Sequence, residues 1–294
     1  KLKKGIRFAD DPVFGGKPRE LTADDYVYSI KRLIDPRIRS PWAFLVEGKL
    51  LGLDEVAEQA KKSGRFDYDR KVPGIEAVDR HTIRFRLKET DYNLPYILAH
   101  EPTSAVAREV IEKYGESDGR ALANPVGTGP YRLAKWVRSS KILLEANPHY
   151  RGFTWNFASA DPADAAIVRE MKGKAMPQVG RVEISIIEED QSRWLAFGQK
   201  ELDVLALPGT FRPQAVSADG ELLPSWRDQG VSLYKAIEPD ATYTYFNFRD
   251  PIVGGFSREK IALRRAIIMA YDIQEEIKVI RKGKVRRAKL YYLR

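Results

Sequence analysis

The chain has 294 residues, of which 43% are hydrophobic, 31% charged and 11% aromatic. This composition can bury one large core or two smaller ones, and it excludes a disordered chain. No run of 18 consecutive apolar residues indicates a membrane span. The absence of Cys excludes disulfides, thiolate zinc sites, iron–sulfur clusters and cysteine nucleophiles, and it leaves the compartment open.

The positive charge is concentrated at one end. The formal net charge is +9, but residues 278–294 contain eight Lys and Arg and no acidic residue. The other 277 residues carry 42 basic and 41 acidic side chains. Because nucleic-acid binding depends on several cationic contacts to phosphates, we expect no such binding from residues 1–277.

Helical and strand patterns alternate along the chain. Thr22, followed by Asp25 three residues later, is typical of a helix that begins with a capping box, and Pro36 ends that helix. Further helices are predicted at about 53–63, 105–114, 162–172, 190–199 and 258–271. Hairpins are predicted around 79–81 and 138–140, and strands at 181–189, 203–207, 231–236 and 241–248. The mixture indicates an α/β architecture with separate layers.

Motifs for cofactor or metal binding are absent from the sequence. There is no phosphate-binding G-x-x-x-x-G-K-[ST] loop, and Gly127-Thr128-Gly129 lacks the third glycine and the helix start of a dinucleotide site. His81, His100 and His149 are far apart in the sequence and fall on predicted turns and loops. We therefore expect no cofactor and no metal.

Candidate catalytic groups have simpler structural interpretations. Ser232 and Ser257 each precede a Lys by three residues, but no companion motif of an acyl enzyme is present, and Ser257 is placed to cap a helix. The acidic runs 24–25 and 188–190 precede predicted helices, where the helix dipole favours acids. The sequence therefore predicts a protein that is not an enzyme.

Four phrases, in order, resemble those of one family. They are KGIRFADDPVFGGKPRELTADDYVYSIKRLIDPR, NPVGTGPYRLAKWVRSSKILLEANPHYRG, RWLAFGQKELDVL and TYTYFNFRDPIVGGFSREKIALRRAIIMAYDIQEEI. They are similar to stretches of the solute-binding proteins of peptide-type ABC importers, the family 5 extracellular solute-binding proteins. The resemblance covers about 277 residues, so it is more specific than any single short motif.

The resemblance implies a partial periplasmic-binding-protein-like fold of type II, with several lobes, and a chain truncated at both ends. We expect residues 1–124 to form an inserted small domain that is incomplete at its N-terminus, and residues 125–240 to form part of the first lobe. Residues 241–277 would then supply a hinge strand and the start of a distal lobe. The acidic residue that binds a peptide's amino terminus in peptide-binding members is expected in the missing lobe.

Period-two alternation in TYTYFNF places Tyr243, Tyr245 and Asn247 on one face of the predicted strand. We predict that these residues line the ligand cleft, although core packing of the strand is the alternative. Trp194, near a predicted helix N-terminus, is a further ligand-binding candidate, with a buried core position as its alternative.

The resemblance implies a receptor that captures oligopeptides or a related solute between two lobes and delivers them to a membrane permease. It also implies a monomer in the periplasm or tethered by lipid at the cell surface, with its signal segment absent from this chain. A fragment without most of one lobe is expected to bind its ligand weakly. The alternatives are a basic RNA- or ribosome-associated protein, suggested by the tail alone, and a hydrolase, for which no constellation is visible.

The C-terminal tail departs from this pattern. Residues 279–294 resemble a segment of a bacterial large-subunit ribosomal protein that is rich in basic and aromatic residues. Two interpretations of residues 278–294 remain: a join after Ile277 to a segment of different origin, or a natural tail that has diverged.

Overall fold

A computed structural model describes residues 1–116, 118, 123–235 and 243–270. The chain divides into two units: the first is Lys1–Phe211, and the second begins at Arg212. None of the helices in these described ranges combines the length and the apolar character that a bilayer crossing demands.

The first helix begins where the sequence predicts. Helix α1 is Ala23–Leu33, and Thr22 and Asp25 form the predicted capping box at its N-terminus. Asp24 and Asp25 lie in its first turn and Lys31 and Arg32 in its last, an arrangement that the helix dipole favours at both ends. Ile30 is fully buried, which orients the apolar face of α1 towards the core.

The main core of the first unit lies between α1, helix α2 (Leu53–Ser63) and an antiparallel hairpin. The hairpin consists of β1 (Ile75–Asp79) and β2 (Thr82–Phe85), with Ile75 opposite Phe85. Their positions confirm the predicted second helix and first hairpin. Buried core residues from these elements and their connections include Ile30, Leu50, Leu53, Val56, Phe66 and Ile75.

Gly74 sets how closely the chain segments approach one another before β1. Its N–H donates a 2.7 Å hydrogen bond to the carbonyl of Leu51, and its carbonyl accepts a 2.9 Å bond from Arg86. A Cβ at this position would lie inside van der Waals contact with the Leu51 backbone. Only glycine fits here without a backbone shift.

A second buried cluster joins the N-terminal segment to helix α4 (Arg108–Tyr114), which follows helix α3 (Leu94–Ala99). Its buried members are Phe8, Leu21, Ala107 and Val110. The prediction that this helix starts at 105 is wrong by three residues. The backbone of Ala107 is extended, and the N–H of Val106 donates to Oγ of Ser29 instead of continuing a helix.

A three-stranded antiparallel sheet occupies the later part of the first unit. Strands β3 (Tyr131–Val137) and β4 (Lys141–Ala146) form the second predicted hairpin, and β7 (Arg181–Ser185) pairs with β4. The predicted strand 181–189 therefore ends at Ser185. A small two-stranded sheet, helices and short 3-10 helices complete the unit: β5 (Phe153–Thr154), α5 (Ala165–Met171), β6 (Ala175–Met176), α6 (Asp190–Gly198), and the 3-10 segments Pro12–Phe14, Ala43–Leu45, Glu101–Thr103, Pro162–Asp164 and Gly209–Phe211.

The regular elements among the described residues of the second unit are helices. They are α7 (Arg212–Ala215), α8 (Pro224–Arg227) and α9 (Arg258–Met269). Ser257 caps α9 as predicted, because its side chain accepts a hydrogen bond from the N–H of Lys260. Residue 271, the last of the predicted helix, lies outside the described residues.

Three predicted strands are wrong in the described residues. Residues 203–207, 231–235 and 243–248 have no regular strand structure, while 236–242 lie outside the description. A strand needs a neighbour to satisfy its backbone N–H and C=O groups. In the part of the chain that the structure describes, none of these three segments pairs with another strand, and Val204 is 86% exposed.

Candidate functional site

The segment that contains Tyr243, Tyr245 and Asn247 is exposed. The side chains of Tyr243 and Tyr245 are 78% and 77% exposed, and their ring centroids lie 6.2 Å apart. The structure therefore brings the two tyrosines together on the surface. Neither ring is packed in a core, which was the alternative for these two residues.

Asn247 marks the start of an ordered turn. Its Oδ1 accepts a 3.1 Å hydrogen bond from the N–H of Arg249, and its carbonyl accepts one of 3.0 Å from Asp250. Asp250 in turn accepts the N–H groups of Ile252 and Val253 on Oδ1 at 2.8 and 3.0 Å. These backbone N–H bonds lower the pKa of Asp250. The side chain of Asn247 is thus held by its own turn.

Arg264 on α9 fixes the loop that follows. It is 8% exposed, and its Nη1 donates to the carbonyls of Val253 and, at 2.9 Å, Gly255. Its guanidinium carbon lies 4.6 Å from the ring centroid of Phe248, which stacks on Phe256 at 5.2 Å. A buried Arg with these partners connects the helix to the end of segment 243–248.

Sequence reasoning missed Arg264. The structure buries Arg264, whereas its neighbours Leu263 and Arg265 are exposed. The residue pattern of α9 does not indicate that Arg264 is buried, because its partners are backbone carbonyls of a preceding loop. Four apolar residues of α9 are exposed: Leu263, Ile267, Ile268 and Met269.

Trp194 lies in the first unit, on α6. It is half-buried and stacks on Phe211, with ring centroids 5.6 Å apart and an interplanar angle of 11°. Its position is therefore intermediate between the two expectations, a cleft residue and a fully buried core residue.

The three histidines that were candidates for a metal site each contact a different side chain. His81 Nε2 lies 3.0 Å from Glu20, His149 Nε2 lies 2.7 Å from Asp10, and the ring of His100 lies 5.0 Å from that of Trp42. Among the residues that the structure describes, no three or more His, Asp or Glu side chains gather into a group able to hold a metal ion.

Asp25, in the acidic run 24–25, stabilises the start of α1. Its Oδ2 accepts the N–H of Thr22 at 2.7 Å, and its Oδ1 lies 2.7 Å from Nη2 of Arg19. Asp190, of the second acid run, pairs with Arg193 in the first turn of α6. Both arrangements agree with the helix-start interpretation of these acids.

Comparison with known proteins gives the family of this chain. Residues 1–292 match the model of the bacterial extracellular solute-binding proteins, family 5 Middle. The chain is 36% identical over 161 residues to the periplasmic oligopeptide-binding protein OppA of Escherichia coli, covering 53% of this chain and 26% of that protein. It is 32% identical over 152 residues to the E. coli periplasmic murein peptide-binding protein MppA, covering 51% and 25%.

Solved structures support the fold. Listeria monocytogenes OppA bound to peptide superposes with a TM-score of 0.52 and 17% identity, over 73% of this chain and 35% of that one. The fold is thus a partial α/β binding-protein fold of type II, as the sequence predicts. The chain spans about a quarter of the length of the curated relatives that it matches. It belongs to the family 5 bacterial extracellular solute-binding proteins.

Proposed function

We propose that this chain is part of a substrate-binding component of an ABC importer, which captures oligopeptides or a related solute and delivers them to a membrane permease. The observation that carries the proposal is the family match over residues 1–292. The names of the E. coli relatives, an oligopeptide-binding and a murein peptide-binding protein, support a peptide as the ligand class.

Segment 243–247 supplies the groups that would contact the ligand. The exposed rings of Tyr243 and Tyr245 offer apolar surface and hydroxyl groups to peptide side chains. The Oδ1 of Asn247 accepts the N–H of Arg249. The other end of this side chain, its NH2 group, would donate a hydrogen bond to a ligand carbonyl. Binding through peptide backbone groups tolerates different side chains.

Trp194 of the first unit is proposed by itself as a residue that contacts peptide. Its stacking on Phe211 fixes the orientation of the indole plane. A fixed aromatic surface loses little conformational entropy when a ligand packs against it. We therefore assign Trp194 to the ligand side chains rather than to the ligand backbone.

The proposed action is binding without turnover. The relatives named above are binding proteins, and both are periplasmic by name. We accordingly place the parent protein in the periplasm or at the outer cell surface, where it acts as a monomer and meets its permease at the membrane.

Photo-crosslinking tests the proposal, because it captures weak complexes. A tetrapeptide with p-benzoylphenylalanine at its second position is irradiated with the 294-residue chain, and the crosslinks are mapped by mass spectrometry. We expect crosslinks in the tryptic fragment that contains Tyr243–Arg249, suppressed by excess Ala-Phe-Ala-Ala.

Free benzoylphenylalanine is the control for hydrophobic labelling. If the tetrapeptide and the free amino acid give the same crosslink map, the segment has no peptide-binding role and the proposal is wrong. Release of shortened tetrapeptide during incubation without light would show turnover and would contradict binding alone.

A further inference from the structure

Arg264 on α9 is a buried cation that has no acidic partner among the described residues. It is 8% exposed, and its hydrogen bonds go to backbone carbonyls. The removal of a charge from water is costly unless other groups replace the water. The next residue of the helix, Arg265, is exposed to solvent. The difference between these two neighbours indicates that Arg264 has a specific role in the second unit.

The contacts of Arg264 join α9 to both ends of one loop. Its Nη1 donates to the carbonyls of Val253 and, at 2.9 Å, of Gly255. Its guanidinium carbon lies 4.6 Å from the ring centroid of Phe248, a distance at which a cation and an aromatic ring attract each other. We call residues 248–255 the anchor loop.

The anchor loop is closed by its own backbone. The N–H of Gly255 donates a 3.0 Å hydrogen bond to the carbonyl of Phe248, and the N–H of Gly254 donates one of 2.9 Å to the carbonyl of Asp250. A Cβ at Gly254 would lie inside van der Waals contact with both of these carbonyl oxygens. The loop is therefore tightly folded, and Arg264 connects this folded loop to α9.

The anchor loop begins where the proposed peptide-contacting segment ends. Asn247 precedes Phe248 directly, and its carbonyl accepts a 3.0 Å hydrogen bond from the N–H of Asp250. Residues 243–247 pair with no strand in the part of the chain that the structure describes. Without a neighbouring strand, the backbone of this segment is held at Phe248, the end that contacts Arg264.

We propose that Arg264 is a positioning residue of the peptide site. It would touch no ligand; it would orient Tyr243, Tyr245 and Asn247 by holding Phe248 and the anchor loop against α9. This inference rests on the proposed function, in which those three residues contact a peptide. Side chains that are oriented in advance lose less conformational entropy when a ligand binds. Loss of Arg264 should therefore weaken peptide binding although every contacting group remains.

The geometry of the guanidinium group explains why an arginine stands here. A planar guanidinium can face an aromatic ring and still donate hydrogen bonds from its edge, whereas the ammonium of Lys is a compact charge on a flexible chain. We therefore expect R264K to keep part of the function of Arg264, and R264M to keep less. Arg265→Met is the matched control, because it removes the same charge from an exposed position on the same helix.

Fluorine NMR of the 294-residue chain, labelled with 3-fluorotyrosine, tests the orientation directly. The variants Y243F and Y245F assign the two resonances. Faster motion of the segment narrows its lines, so R264M should narrow the Tyr243 and Tyr245 lines by about twofold and R264K by less. R265M should leave them unchanged. The lines of Tyr92 and Tyr96, in the first unit, should keep their width in all three variants.

Peptide binding is the second measurement. Titration with Ala-Phe-Ala-Ala, followed by saturation-transfer difference NMR, gives the relative affinity of each variant. We expect R264M to bind the peptide at least about threefold more weakly than the unmodified chain, with R264K between the two and R265M equal to the unmodified chain. F248L, which removes the ring but leaves Arg264 in place, should act in the same direction as R264M.

The contrary results separate this inference from the proposed function. If the unmodified chain binds the peptide and R264M leaves the Tyr243 and Tyr245 lines or the affinity unchanged, Arg264 has no positioning role and the proposed function stands. Equal effects of R264M and R265M would show a general effect of charge and would also overturn the inference. If the unmodified chain binds no peptide, the proposed function is wrong, and the role of Arg264 in peptide binding is rejected with it.

Discussion

The hydroxyl of Tyr68 donates a 2.6 Å hydrogen bond to Oδ2 of Asp35, a carboxylate that is almost completely buried. Nη2 of Arg37 lies 2.9 Å from the same oxygen. Burial acts to raise the pKa of Asp35, but its hydrogen bonds from Arg37 and Tyr68 outweigh burial and lower that pKa. The pair joins the C-terminal end of α1 to segment 65–71.

Replacement of Tyr68 by Phe should therefore reduce the free energy of unfolding by about 1–3 kcal/mol, since a buried carboxylate loses a hydrogen bond. Urea denaturation measures the change. Tyr96→Phe is the matched control, because Tyr96 is 77% exposed, and it should change the free energy by less than about 0.5 kcal/mol. Equal effects of the two variants would mean that the Tyr68–Asp35 bond does not stabilise the fold.

Arg19 connects the start of α1 to α4. Its Nη2 lies 2.7 Å from Oδ1 of Asp25 and its Nε lies 2.6 Å from Oε1 of Glu109. Arg19→Met should reduce the free energy of unfolding by about 2–3 kcal/mol, because it leaves the buried Asp25 carboxylate without a cation. Arg84→Met removes an exposed ion pair with Glu76 and should cost less than about 1 kcal/mol. A smaller loss for Arg19→Met than for Arg84→Met, by the same urea measurement, would refute this role.

Glu20 makes stability depend on pH. The N–H of Gly5, with His81 and Arg80, lowers the pKa of Glu20 from 4.5 to about 2. A lowered folded-state pKa contributes stability that is full above the unfolded value and is lost as pH falls towards the folded value. The thermal midpoint of Glu20→Gln should therefore lie below that of the unmodified chain at pH 6, and the gap should close between pH 4.5 and pH 2. A gap of the same size at both ends of this range would contradict the assignment.

The close approach at Gly74 gives a packing test. Gly74→Ala should destabilise the first unit by about 1–3 kcal/mol, because the added methyl group meets the backbone of Leu51. Gly129→Ala is the control, since a Cβ there meets nothing within 4 Å. Thermal denaturation should give a clear loss for the first variant and little change for the second. Full tolerance at Gly74 would show that the segments can separate without penalty.

Local patterns predicted the longer helices, because their signals are contained in a few neighbouring residues, but they missed the short helices α3, α7 and α8. The capping box of Thr22 and Asp25 and the cap at Ser257 both appear in the structure. The strand predictions at 203–207 and 243–248 failed because alternation does not show whether a partner strand is present. This limit does not affect the hairpins, because their two strands are adjacent in the sequence and pair with each other.

The candidate site was only partly visible in the sequence. Alternation brought Tyr243, Tyr245 and Asn247 to attention, although the structure gives them an exposed, irregular backbone. Arg264 was missed because its contacts depend on a loop that folds back on α9.

Saturation-transfer difference NMR with Ala-Phe-Ala-Ala tests the central claim, that the chain binds peptide through segment 243–247. The Y243A/Y245A variant should lose most of the peptide signal seen with the unmodified chain. The Y92A/Y96A variant removes two tyrosines of the first unit that are 87% and 77% exposed, and it should retain that signal. An undiminished signal from Y243A/Y245A, or equal losses from both variants, would contradict the claim.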